Sequence, residues 1–485
     1  MRNKNILYIS IIVSLFFIPI LMANVYYLDD IGRATNGYYR WSDNDGRPLS
    51  DLIMYILNFG GNQTDIYPLP TILSIIFLII SLYRMQSLFD DKNSIFTLIV
   101  ASAFFINPFM AENFSYRFDV LPMVFGILLS VLVFTIKIRN NTISFLTSII
   151  FIVSIYSTYQ TNINIFIILT IIEFIRNSID KDDAIKILLF RFFQFIIGSV
   201  IYIKIIMPMT MLSSNPISHP NISIFNIIET IKINLYEYNG FLSKNFIFNW
   251  GYFIFSTTII NYISIIFLYI KKVKNKNTLT FIAFILCPII AYLMCFGSLL
   301  ALEKPIYWFP RVYIGLCGYF IFCYYLIYKL IITSLPSGKK ILFVLFIPVL
   351  ANLSFFYTYG NSLKNQFEFS ENIISEIKSK VNHNDIKGKG IYYIGNELES
   401  PVFKNSYYKF NLIRHLVPTF LGNGYWGFKF SQLNGLNVSY KNEAEARNSL
   451  KIDWCRTGKL INSVNFDLII TENLIIVDTK KQCNK

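Results

Sequence analysis

The sequence predicts a polytopic α-helical membrane protein, with about eleven transmembrane helices and a small C-terminal α/β domain. Three observations carry that reading. The chain is 54% hydrophobic and 17% aromatic, with a mean hydropathy of +0.49. Charged residues make up 15% of it, against about 25% in a soluble globular protein. Its apolar residues fall in separate blocks of about 17 to 23, each the length of a membrane-crossing helix.

The first block, Ile6 to Tyr27, holds no charge and is too long for a signal-peptide core; no small-residue cleavage site follows, so it reads as a retained first helix. Further segments are expected at 68–83, 95–111, 120–137, 143–159, 161–175 and 187–207. The series continues at 251–270, 279–301, 311–332 and 341–358. With a cytoplasmic N-terminus, the cytoplasmic loops hold Arg2/Lys4, Arg84/Lys92, Lys137/Arg139 and Arg176/Lys181/Lys186, then Lys271/Lys272/Lys274/Lys276 and Lys339/Lys340. Every one is basic, as the positive-inside rule requires. The net charge of +14 is therefore a matter of topology. Its carriers are scattered over short loops and form no basic face, so no nucleic-acid partner is expected.

The first outer loop departs from that rule. It carries Arg33, Arg40 and Arg47 among Asp29, Asp30, Asp43, Asp45, Asp51 and Asp65. These charges either pair with one another on a wet loop or form a polar site for an anionic ligand, since Arg offers a planar fork to phosphate. Within the loop, Ser50 or Asp51 can cap a helix that lies on the membrane, with Leu52, Ile53, Ile56 and Leu57 on one face and Gly60-Gly61-Asn62 ending it.

From Asn361 the apolar blocks stop. A helix over Phe367–Val381 and strands at Gly390–Ile394, Phe466–Ile470 and Leu474–Asp478 are expected there. The domains are thus a transmembrane part, 1–358, including loop 28–67, and an outer α/β domain, 359–485. Cys287, Cys295, Cys317 and Cys323 fall inside membrane segments and read as packing residues. Cys455 and Cys483 lie in the outer domain, where an oxidising compartment allows a disulfide. No spacing suits a metal, and only three His occur. Neither metal nor cofactor is expected.

Asp29 and Asp30, directly after the first helix, are the candidate catalytic residues. Adjacent side chains do not converge on one atom, so the expected division of labour makes Asp30 an N-cap and Asp29 a general base, its pKa raised by partial desolvation. The alternative is that both cap and solvate the helix end. The second outer loop, Glu112-Asn113-Phe114-Ser115-Tyr116-Arg117-Phe118-Asp119, places Glu112, Arg117 and Asp119 between two short segments. There they serve either the turn or a substrate. Tyr159 and Gln160 stand in the polar stretch 156–164, where two helices meet outside. Arg311 follows the aromatic run Tyr307-Trp308-Phe309-Pro310 at a membrane boundary, where an unpaired cation is costly in lipid and could hold a lipid phosphate.

Leu28-Asp29-Asp30-Ile31-Gly32-Arg33, followed by Asp45-Gly46-Arg47-Pro48-Leu49, resembles the Gtr type II glucosyltransferases, serotype-converting and often phage-derived enzymes that modify bacterial O-antigen. The 112–119 loop, the Tyr159-Gln160 junction and Pro310-Arg311 are similar to the same family. The resemblance covers the membrane part; the outer domain matches only in being present. It implies a GT-C-type fold in the bacterial inner membrane and an undecaprenyl-phosphate-glucose donor. It further implies a lipid-linked O-antigen acceptor on the periplasmic face, with an acidic base in the first outer loop. A small flippase and a synthase of the lipid-linked glucose are the implied partners, beside membrane lipid. Arg33, Arg47, Glu112, Arg117, Asp119, Tyr159, Gln160 and Arg311 are the expected substrate-binding set. An O-antigen polymerase or ligase, or a non-enzymatic lipid-linked sugar transporter, are the competing readings.

Overall fold

The computed structural model describes residues 2–90, 94–181, 183–212, 220–223, 225–450 and 453–484; Lys92 lies outside them. The chain divides into two compact units. The first comprises Met1–Leu21 and Tyr38–Tyr357, and the second Met22–Gly37 and Thr358–Lys485.

Among the described residues eight helices are long and apolar enough to cross a membrane: Lys4–Ala23, Leu69–Phe89, Asn141–Thr158, Gln160–Asp180, Ala184–Thr210, Trp250–Lys272, Gly315–Ser334 and Ser337–Lys380. Three further expected segments correspond to shorter apolar helices, Ile95–Ile106, Val120–Thr135 and Thr278–Leu293. Thus the expected block at 95–111 is not one helix. It tightens into a 3-10 turn at Ala103–Ile106 and breaks at Asn107, whose backbone is extended ahead of Pro108. Proline's ring disfavours the α conformation in the residue before it. The broken stretch is covered on every side, with residues 97–124 all buried, and the Asn107 amide donates to the Tyr313 carbonyl at 2.9 Å.

A helix that hydropathy does not reveal runs over Ile227–Asn245. Glu229, Lys232, Glu237 and Lys244 interrupt its apolar run. Its buried face nevertheless carries Asn234, Tyr238, Phe241 and Leu242, and Asn234 donates to the carbonyls of Leu300 and Leu302 at 3.0 and 2.7 Å.

The loop helix spans Pro48–Leu57. Neither Ser50 nor Asp51 caps it, contrary to expectation. Pro48 takes the first helical position, where its fixed φ is pre-organised and its missing N–H is no loss. Ser50 instead donates to the Thr158 carbonyl at 2.9 Å, and Met54 packs inward. Leu52, Tyr55 and Ile56 are exposed on the other side.

In the second unit the expected strands form as β1 (Gly390–Ile394), β3 (Asp467–Ile470) and β4 (Leu474–Asp478), joined by an unforeseen β2 (Lys459–Asn462). The sheet order is β1-β4-β3-β2, with β1 and β4 parallel and the other pairs antiparallel. The expected helix Phe367–Val381 is the later part of a single helix, Phe346–Lys380. Its Ile373, Ile374 and Ile377 close the core with Phe466, Leu468, Ile475 and Val477. Phe420 and Phe430 stack in the same core, 4.7 Å between ring centres. Cys455 and Cys483 form a disulfide, Cα atoms 5.3 Å apart, while Cys287, Cys295, Cys317 and Cys323 are buried free thiols.

Candidate functional site

Asp29 and Asp30 belong to the second unit. Tyr27, just ahead of them, donates its hydroxyl to the Leu416 carbonyl at 2.7 Å, and Ile31 lies in the core with Ile373 and Phe430. The helix here is Asp29–Asn36 and its cap residue is Leu28, held at φ 44°. Asp30 is therefore not the N-cap that the sequence suggested. The turn at Leu28 brings the chain back so that Asp30, second in the helix, accepts the Tyr27 N–H at 3.0 Å. Burial is also reversed from expectation, for Asp30 is fully buried and Asp29 only half-buried. Both carboxylates stand in the first turn, where the helix dipole favours negative charge. Arg33, one turn on, is buried.

The other expected residues lie in the first unit, and Tyr159 joins several of them. The Arg47 guanidinium sits 4.5 Å from the centre of the Tyr159 ring, while the Tyr159 hydroxyl donates to the Arg311 carbonyl at 3.1 Å. Arg47 donates to the Gln160 side-chain oxygen at 2.8 Å. The Gln160 amide in turn donates to the Asp45 carbonyl at 2.6 Å and the Tyr202 hydroxyl at 3.0 Å. Tyr202 completes the loop by donating to the Gly46 carbonyl at 2.9 Å. Gly46 adopts φ 66°, a left-handed conformation that glycine enters without penalty, and a side chain there would press on the Tyr202 oxygen.

Arg311 is paired. Its backbone N–H and guanidinium reach the two oxygens of Glu112 at 2.6 and 3.0 Å, and the guanidinium also donates to Tyr116. Burial pushes the Glu112 carboxyl above its ordinary value, and the charge and hydrogen bonds of Arg311 pull it part of the way back. Arg117 has a carboxylate partner of its own. It pairs with Asp65 at 2.6 Å and lies 4.5 Å from the Tyr67 ring centre. Asp119 accepts the indole N–H of buried Trp41. Asp51 accepts the backbone N–H groups of Trp41 and Ser42 at 3.1 and 2.6 Å.

These pairings rank Arg47, Arg117 and Arg311. Arg117 and Arg311 are largely neutralised by carboxylates in contact. Arg47 holds a neutral amide and a ring, with Asp45 4.0 Å away. Of Arg47, Arg117 and Arg311 it has the most distant carboxylate, and so the charge most open to an anionic group. Trp41 and Tyr202 are the residues that sequence reasoning missed. A lone indole within a polar, acidic loop was the available sign for the first; nothing local marks the second. Among the described residues no group of three or more His, Cys, Asp or Glu could hold a metal ion.

The family model described as glucosyl transferase GtrII matches residues 18–322, more than half of the chain. The protein belongs to the GtrII family. Membership makes it a glucosyltransferase of O-antigen modification, and every expected site residue from Asp29 to Arg311 falls inside the matched span. A Salmonella phage P22 protein, described as an uncharacterised 55.3 kDa protein in the gtrB 5′ region, is 26% identical over 508 aligned positions. The alignment covers 98% of this chain and 99% of that relative. No solved structure matches the chain.

Proposed function

We propose that this GtrII protein moves glucose from undecaprenyl-phosphate-glucose to a lipid-linked O-antigen repeat at the periplasmic face, with inversion and with Asp29 as general base. The observation that carries the proposal is the match of residues 18–322 to the glucosyl transferase family model, a span that contains both Asp29 and Arg47. Asp29 is chosen over Asp30 because the residue is partly exposed, whereas Asp30 is buried.

In this mechanism the acceptor hydroxyl gives its proton to Asp29 as its oxygen attacks the anomeric carbon. The bond from that carbon to the phosphate oxygen breaks, and its electron pair leaves on undecaprenyl phosphate. The charge that develops there is stabilised by guanidinium groups, Arg47 first among them. Arg33, Arg117 and Arg311 are assigned a supporting part in binding the donor, and Glu112, Asp119, Tyr159 and Gln160 hold the substrate-binding surface.

The proposal includes a GT-C-type architecture of eleven spans in the inner membrane, N-terminus cytoplasmic and residues 359–485 periplasmic as an acceptor-side domain. The continuous run of basic cytoplasmic loops supports that orientation. A small flippase and a synthase of the lipid-linked glucose supply the donor. Lipopolysaccharide composition and linkage analysis of a host strain with and without the gene tests the reading. It expects an added glucosyl branch that appears only with the gene; altered chain length without added glucose would overturn it.

A further inference from the structure

An open depression of about 500 Å³ in the first unit is lined by Tyr39, Arg40, Asp43, Asp51, Leu52 and Tyr55. None of these residues is in the substrate-binding set argued above. The volume falls within the roughly 300–1,000 Å³ of small-molecule sites. We infer that this depression is a carbohydrate subsite for the acceptor glycan, and the inference rests on the glucosyltransferase reading for its choice of glycan.

Three features of the lining select sugar over the other ligands an outer loop could meet. Asp43 and Asp51 line it with a single guanidinium, Arg40, so its lining holds more acidic than basic groups and is a poor match for a phosphate. Charged side chains on its walls make it a poor seat for an acyl chain. What remains is a neutral, hydroxyl-rich ligand, which uses acceptors and donors together: carboxylate oxygens take hydroxyl protons and the guanidinium gives its own.

The aromatic wall fits the same partner. The rings of Tyr39 and Tyr55 lie 5.9 Å apart at 59°, a tilted pair that presents π surface to the C–H face of a pyranose while the hydroxyls address its polar edge. The Tyr39 hydroxyl is shielded from solvent and makes no hydrogen bond among the described residues. A shielded polar group without a partner calls for an explanation, and the Tyr39 side chain would have to shift before a ligand hydroxyl could reach it. Leu52 and Tyr55, three residues apart on the helix Pro48–Leu57, share one exposed face.

The wall is held in place rather than left to the ligand. Arg40 adopts φ 77°, a left-handed conformation that a non-glycine residue keeps only when its surroundings enforce it. The next residue, Trp41, supplies that enforcement through Asp51 on its backbone N–H and Asp119 on its indole. The Arg40 side chain is left exposed.

The test uses the full chain purified in detergent and, as probe, O-polysaccharide released by mild acid from smooth lipopolysaccharide, with binding followed by saturation-transfer NMR. Tyr55→Ser and Arg40→Gln should each weaken binding roughly tenfold, the loss of one strong polar or stacking contact. Tyr55→Phe should retain it, and inorganic phosphate should not displace the glycan. Wild-type affinity in both folded weak-binding candidates, displacement by phosphate, or no binding by the wild type would overturn the inference. Because Arg40 is exposed, its variant reports even if the Tyr55 variant misfolds. The assay needs neither donor nor turnover. Glycan binding lost in these variants without any glucose transfer by the wild type would sink the proposed function and leave this subsite standing; transfer with glycan binding unmoved would do the reverse.

Discussion

Arg311 places both its backbone N–H and its guanidinium on the two oxygens of Glu112, a residue 199 positions earlier. The Glu112 side chain is 3% exposed and that of Arg311 22%, so neither charge is well hydrated. Removing one partner strands the other, which typically costs about 3–5 kcal/mol in a buried pair. Because Arg311 keeps some access to water, Glu112→Ala should fall toward the lower end of that range. Thermal unfolding in detergent should show a clear drop for Glu112→Ala and a smaller one for Glu112→Gln, which still accepts the backbone N–H. Equal, wild-type-like melting of both would mean that the pair contributes nothing to stability.

The two adjacent aspartates should separate cleanly. Asp29→Asn is expected to lower glucose transfer by about 10²- to 10⁴-fold, the usual loss for a general base, with less loss of stability than Asp30→Ala. Asp30→Ala leaves the Tyr27 N–H without its acceptor and should cost about 1–3 kcal/mol of stability; Asp30→Asn keeps an acceptor and should be milder. Transfer assays beside melting curves decide it, and an inactive Asp30→Asn with an active Asp29→Asn would exchange the roles.

Arg47→Lys keeps the charge but loses the planar fork that meets Gln160 and the Tyr159 ring. Donor use should weaken on the order of tenfold, and by more than in Arg117→Lys, where Asp65 already holds the cation. Steady-state kinetics with varied lipid-linked glucose reads this as a change in donor KM. A larger effect at Arg117 would refute the ranking drawn from the ion pairs.

Reduction should loosen the C-terminal unit. The Cys455–Cys483 bridge spans a sequence separation of 28, and chain entropy assigns such a loop about 3.5 kcal/mol if native strain is absent. Cys455→Ser should lower the unfolding midpoint of the domain, and reductant should no longer affect that variant. Both cysteines reacting with a thiol reagent in non-reduced protein recovered from the envelope would contradict the bridge.

Reporter fusions address orientation. A fusion at Lys272 is expected to report the cytoplasm and one at Asn361 the periplasm, since every loop that the proposed arrangement puts in the cytoplasm is basic. The same side for both would exclude the eleven-span arrangement.

Much of the architecture was legible before any coordinate. All eleven expected segments meet apolar helices, because a lipid environment demands long uninterrupted apolar runs that leave a local trace. Strands β1, β3 and β4 were legible in the same way, and so was the cysteine pair of the C-terminal unit. The turn at Asn107–Pro108 and the helix Ile227–Asn245 were not, for one is a break inside an apolar block and the other an element with charges spread through it.

By itself, then, the sequence determined the apolar, membrane-type character of the chain, where its apolar helices run and the family motifs, all properties of residues near one another in the chain. Only the tertiary structure decided which partner each charge takes. Arg117 pairs with Asp65, 52 positions away, Asp119 accepts the indole N–H of Trp41 at a separation of 78, and Asp30 is buried in the unit built from Met22–Gly37 and Thr358–Lys485. Pairing of this kind follows from which helices pack together. Hydropathy and residue spacing along the chain hold no record of that, since the interaction energy depends on distance in space and on local access to water.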